Sequence, residues 1–131
     1  MAVVDASALV AYLTGGEHAA AVRARLLADD AALWAPHLVD AEVGHVLRRA
    51  VLSGTLNAAH ARRALDDLGD LPLQRAAHLG LIDRAWQLRS KLSFHDALYI
   101  ALAERVDEPL VTLDARLARA PGLRAAVEVI G

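Results

Sequence analysis

Four acidic residues, Asp5, Glu42, Asp96 and Asp114, are scattered along a chain of 131 residues, yet each stands where an acid can do chemistry. Asp5 directly follows the apolar run Ala2, Val3, Val4, and Asp114 follows the segment PLVTL. Asp96 sits in the first turn of LSFHDALYIALAE, and Glu42 lies within the segment that starts after Pro36. Each residue alone has a structural explanation. Asp5 and Asp114 occupy positions typical of helix N-caps. Ser93 and Asp96 match a capping box, in which the Ser93 hydroxyl accepts from the Asp96 amide and the Asp96 carboxylate reaches back to the Ser93 amide. Glu42 reads as a solvated helix residue near His45, with Asp40 an ordinary first-turn acid. The set of four means more than its members. Two carboxylates about 4 Å apart repel by on the order of 4 kcal/mol at an effective dielectric of 20, so four that converge need protons or a cation. Oxygen donors without cysteine select a hard ion, Mg2+ or Mn2+, over zinc. Such a site suits phosphoryl chemistry.

For the acids to meet, the elements carrying them must alternate in a particular way. Apolar runs predict strands over residues 2–4, 32–34, 71–74, 110–112 and 127–130. Between them, helices are expected over 7–13, 17–27, 58–68, 79–91, 93–105 and 115–118, with Gly15-Gly16 as a break. A further helix runs from Pro36 to Ser53-Gly54 and carries Leu38, Val39, Val43, Val46, Leu47 and Ala50 on one face. In the 93–105 segment, Phe94, Leu98, Ala101, Leu102 and Arg105 fall at the spacing of a buried helix face. Short apolar strands alternating with helices give an α/β fold with a parallel sheet covered on both faces. Sites in such sheets form where loops leave the carboxyl ends of the strands, and that rule selects Asp5 and Asp114.

Composition narrows the classes further. The length and the absence of a linker point to a single domain spanning 1–131, large enough to bury a core without staples. No cysteine is present, which suits a reducing, cytoplasmic setting and leaves no thiolate metal site. No basic leader precedes MAVVDAS, and no apolar run approaches the roughly 18 residues a membrane span requires. The net charge is −2, yet this includes the four carboxylates, and without them the remainder is positive. Thirteen of the 14 basic residues are arginine, whose planar fork matches phosphate; an arginine-rich compositional bias explains the count equally well. An apolar fraction of 56% is high for so small a chain and hints at a buried partner interface. Trp34 and Trp86 are candidates either for such an interface or for the core.

The ordered segments VVDASALVAYL, APHLVDAEVGHVLRR, LSFHDALYIALAE and PLVTLDARLARAPG resemble the PIN domain, and in particular the VapC ribonuclease toxins of bacterial toxin-antitoxin pairs. The resemblance covers nearly the whole chain. It implies a three-layer α/β/α sandwich around a short parallel sheet of four or five strands. It also implies a Mg2+-dependent endoribonuclease, with Asp5, Glu42, Asp96 and Asp114 matching the family's acidic quartet as catalytic and metal-binding residues. Ser7 and Thr112 match hydroxyls beside the first and last acids, where they would order water or support the ligands. His95 departs from the pattern, since the family often has Tyr or another residue before the third acid. RNA substrate, a cognate VapB-type antitoxin whose tail covers the acidic site with a basic side chain, and a homodimer are the partners the resemblance implies.

Arg48, Arg49 and Arg116 are the candidate phosphate contacts, each with plain solvated charge as its alternative. Two other acidic-pocket folds fall for want of a residue. A response-regulator receiver needs a lysine late in the sheet, whereas the sole lysine, Lys91, ends a predicted helix. Haloacid dehalogenase-like phosphatases need a second acid two residues after the first, where this chain has Ser7. A catalytically silent PIN-like binding module remains as the rival, and metal-dependent RNA cleavage separates the two.

Overall fold

The run Ala2–Val4 has all three side chains buried, as a strand covered on both faces requires. In the computed structural model, which describes residues 2–28 and 32–131, it becomes β1, the central strand of a five-stranded parallel sheet. The others are β2 (Leu33–Pro36), β3 (Leu73–Ala76), β4 (Leu110–Thr112) and β5 (Val127–Val129), in the order β3-β2-β1-β4-β5. The helices are α1 (Ala6–Thr14), α2 (Ala19–Leu26), α3 (Leu38–Leu52), α4 (Ala58–Asp70), α5 (Ile82–Gln87), α6 (Phe94–Val106) and α7 (Ala115–Arg119).

From β1 the chain steps outward through β2 to β3, then returns to the far side of β1 to form β4 and β5. Right-handed crossovers put helices made on opposite sides of such a reversal on opposite faces of the sheet. Accordingly α1 packs with α2, α3 and α4, while α6 packs with α5 and with β1, β2 and β4. The reversal occurs between β1 and β4, which pair through Val3 with Leu110 and Val4 with Val111. The carboxyl ends of these two strands are therefore the switch point where an open α/β sheet offers a crevice.

Three expectations need correction. The second strand runs Leu33–Pro36 and not 32–34, pairing Leu33 with both Ala2 and Leu73. Proline is tolerated at its end, since the next residue resumes the ladder: the His37 amide donates to the Ala76 carbonyl at 2.9 Å. The third strand is Leu73–Ala76 and not 71–74, because Leu71 still caps α4, its amide donating to the Asp67 carbonyl. The 79–91 helix is a 3-10 turn, Leu79–Leu81, followed by the short α5. Beyond Gln87 the amides of Leu88, Arg89 and Lys91 bond three residues back, at 3.1, 3.1 and 2.9 Å, and this tightening ends the helix. At its start, a Cβ on Gly80 would overlap the Arg105 guanidinium, so the turn packs closely on α6.

Helix α6 also differs from its sequence reading. Seven consecutive residues, Ala97 to Ala103, are buried, so the middle of the helix is covered all round. Of the face read from the sequence, Leu98, Ala101 and Leu102 are buried, whereas Phe94 and Arg105 at its two ends are exposed.

Candidate active site

Asp5 leaves β1 and caps α1, its Oδ1 accepting from the Ala8 amide at 3.1 Å. The same oxygen accepts from the Ser7 hydroxyl at 2.6 Å, and Oδ2 accepts from the Thr112 hydroxyl at the end of β4. Those hydroxyls are themselves anchored, for Ser7 Oγ accepts from the Leu113 amide at 3.0 Å and Thr112 Oγ1 from the Asp114 amide at 2.9 Å. Two adjacent strand ends are thus tied through one carboxylate. Asp5 is only 8% exposed. Burial pushes its carboxyl above the usual range, the three donors pull it back in part, and the Asp96 charge pushes the same way as burial.

Asp114 follows β4 and caps α7, accepting from the Arg116 amide at 3.0 Å. The Arg116 guanidinium folds back onto the same carboxylate, with contacts of 2.6 to 3.2 Å to its two oxygens. This pairing holds the Asp114 carboxyl below the usual carboxylate range, against a smaller opposing effect of burial. Both acids that double as N-caps therefore also face the switch point. Capping and site formation are compatible roles.

The capping box at α6 forms by half. Ser93 Oγ accepts from the Asp96 amide at 3.1 Å, and it caps the helix. Among the described residues the reciprocal bond from the Ser93 amide to the Asp96 carboxylate is not made, which corrects the sequence reading. The carboxylate is left over from the cap and lines the cleft. Glu42, in the second turn of α3, accepts at Oε1 from the Tyr99 hydroxyl at 2.6 Å, while its Oε2 is 4.0 Å from His95 Nδ1. Burial, then the bond to Glu42 and the charges of Asp5 and Asp96, push the Tyr99 hydroxyl far above its ordinary pKa, so it stays a donor. Tyr99 was not singled out from the sequence. Its signal was present as the i+3 neighbour of Asp96 on one helix face.

All four acids line a single cleft of about 790 Å³, with Ser7 and Tyr99 in its walls. It is larger than the hollow of about 570 Å³ that Arg23, Asp67 and Asp70 line elsewhere. Among the described residues no three His, Asp or Glu side chains form a ready metal cage. Three of the four carboxylates are held by side chains, Asp5 by Ser7 and Thr112, Glu42 by Tyr99 and Asp114 by Arg116. The adjacent arginines of α3 part company: Arg49 lines the acidic cleft, whereas Arg48 lines a groove between α3 and α4. Trp86 is 58% exposed beneath Arg89, whose guanidinium carbon lies 4.7 Å from the ring centre, and Trp34 packs partly buried against the core.

A family model described as the PIN domain matches residues 2–123. Ribonuclease VapC1 of Mycobacterium tuberculosis is 50% identical over 129 residues, which cover 98% of this chain and 96% of that protein. Ribonuclease VapC9 of the same organism is 45% identical over 118 residues, covering 89% and 88%. The crystal structure of PAE2754 from Pyrobaculum aerophilum aligns with a TM-score of 0.74 at 26% identity, over 98% of this chain and 83% of the other. That of Mycobacterium tuberculosis VapC20, a Sarcin-Ricin loop cleaving toxin, aligns at 0.72 over 96% and 99%, and at 16% identity this likeness speaks to the fold alone. No helix among the described residues is long and apolar enough to cross a membrane. With sequence relatives, family model and fold in agreement, the chain belongs to the PIN-domain family as a VapC-type member.

Proposed function

We propose that the protein is a Mg2+- or Mn2+-dependent endoribonuclease, the toxin of a toxin-antitoxin pair, which hydrolyses RNA phosphodiester bonds in the cleft of Asp5, Glu42, Asp96 and Asp114. One observation carries this reading: four acids far apart in sequence line one cleft at the sheet's switch point. The names of its VapC relatives support RNA as the substrate.

The donor set fits a hard divalent cation. The four acids offer carboxylate oxygens and no thiolate, and the buried Asp5 carboxyl, disfavoured as an anion by burial and by Asp96, calls for nearby positive charge. Asp5, Asp96, Asp114 and Glu42 would hold the ion. When bound, it supplies a Lewis acid at the scissile phosphate and makes a water easier to deprotonate. The chain's own residues do the rest. Ser7 and Thr112 hold Asp5 in one orientation, and Tyr99 does the same for Glu42. Hydrolysis adds one water across a P–O bond, so no side-chain nucleophile is required. A small VapB-type antitoxin with a basic residue over the carboxylates would silence the site. The exposed apolar side chains Leu79, Ile82 and Trp86 support a protein interface, here assigned to the homodimer.

The test is cleavage of a structured RNA by the purified chain with Mg2+ or Mn2+. Cleavage should stop in EDTA and in Asp5→Asn. Cutting that survives chelator overturns metal dependence, and cutting that survives Asp5→Asn overturns the site.

A further inference from the structure

Among the described residues, five arginines pair with carboxylates: Arg25 with Glu128, Arg62 with Asp66, Arg75 with Asp40, Arg84 with Glu104 and Arg116 with Asp114. Arg49 is the arginine that lines the acidic cleft, and its side chain, like those of Arg23, Arg48, Arg63 and Arg105, makes no hydrogen bond or ion pair among the described residues. No carboxylate of the cleft pairs with it among the described residues, although the Asp96 carboxylate and Glu42 Oε2 remain open there. We propose that Arg49, assisted by His45, docks a phosphate flanking the scissile bond, so that a single-stranded stretch of RNA enters the cleft along α3. This deepens the ribonuclease reading and rests on it.

Helix geometry gives the track its direction. Glu42, His45, Val46 and Arg49 stand at i, i+3, i+4 and i+7, hence on one face of α3, and all four line the cleft. Seven residues of helix rise about 10 Å, so Arg49 lies well outward of Glu42. It therefore fits a neighbouring phosphate better than the one being cut. The surface hollow continues outward past Arg49 to Ala50 and Ser53. A guanidinium presents a planar fork that matches two phosphate oxygens, and His45 adds a ring N–H donor nearer the acids. Between the charged groups the wall is apolar, formed by Val10, Leu38 and Val46. That surface accepts the face of an unpaired base, which duplex RNA keeps stacked inside its helix. Arg48 carries the same charge one residue earlier but turns into the α3–α4 groove with Leu47, Val51 and Leu65.

The experiment reads binding apart from cleavage. A short fluorescent single-stranded RNA is titrated with the Asp96→Asn chain in Mg2+ buffer at several salt concentrations, alone and with Arg49→Ala or Arg48→Ala added. Arg49→Ala should weaken binding about fivefold to tenfold and flatten the log–log salt dependence by about 0.7, the value of one phosphate contact on a single strand. Arg48→Ala should leave that slope unchanged. In the chain with Asp96 intact, Arg49→Ala should raise KM with little change in kcat, as loss of uniform binding does. Equal effects of the two arginines, an unchanged affinity in Arg49→Ala, or equal binding of a duplex of the same sequence overturns the track while leaving the ribonuclease reading in place. A parent chain that neither binds nor cuts RNA overturns both.

Discussion

The Tyr99 hydroxyl donates to Glu42 Oε1 at 2.6 Å, joining α6 to α3 across 57 positions of sequence. Without it Glu42 would be an ordinary acid on a long, flexible side chain. With it, one carboxylate oxygen is fixed and the other is left for the cleft. Tyr99→Phe keeps the ring in the core and removes only the donor. A hydrogen bond to a charged group is worth about 1.5–3 kcal/mol, so a lower melting temperature and a cleavage rate reduced by about tenfold are expected. Thermal melts and single-turnover cleavage measure the two effects. Tyr99→Ala should instead cost about 3–5 kcal/mol, because a cavity replaces a buried ring.

Asp96→Asn separates the helix cap from the chemistry. Ser93 already caps α6, and the Asp96 carboxylate takes no part in that bond. The variant should therefore melt within a few degrees of the parent while its cleavage falls on the order of a hundredfold, through loss of a charge at the reacting centre. Ser93→Ala should do the reverse, costing about 1 kcal/mol of stability with activity largely kept. If Asp96→Asn unfolds the protein and Ser93→Ala does not, the carboxylate serves the helix after all.

The Arg116 guanidinium pairs with the Asp114 carboxylate, and the Arg119 charge acts in the same sense. Arg116→Ala frees that carboxylate, so calorimetry should find Mg2+ bound a few-fold more tightly. Salt should narrow the difference, because the guanidinium is exposed. Unchanged Mg2+ affinity would mean that Asp114 contributes little to holding the ion.

Far from the cleft, Glu104 offers a pH test. Burial pushes its carboxyl up, but hydrogen bonds from the Arg84 guanidinium and the Arg124 amide, with both arginine charges, outweigh it and hold the group below its ordinary 4.5. A carboxylate with a depressed folded value contributes stability above 4.5 that is lost as pH falls through the folded value. Glu104→Gln should thus cost about 1 kcal/mol near neutrality and progressively less in acid. Melting curves from pH 7 down to about 3 follow the gap as it closes. A gap that widens on acidification would mean that Glu104 is not held as an anion by Arg84.

The sequence by itself determined the positions of the four acids relative to their elements. Apolar runs followed at once by Asp5 or Asp114 identify strand ends, and the rule that parallel sheets build sites at carboxyl ends then points to both residues. Ser93 before Asp96 marks a helix start just as locally. What only the tertiary structure decided were the partners. Asp5 shares a hydrogen bond with Thr112 across 107 positions, and which carboxylate receives the Tyr99 hydroxyl depends on how α3 and α6 lie over the sheet edge. The burial of α6 on every side between Ala97 and Ala103 went beyond the face read from the sequence for a related reason: periodicity reveals a helix with one wet side, and a stretch covered all round has none. Arg48 and Arg49 are equivalent in composition and charge. A rotation of 100° per residue turns one into the α3–α4 groove and the other into the acidic cleft, a distinction that exists only once α3 is packed against its neighbours.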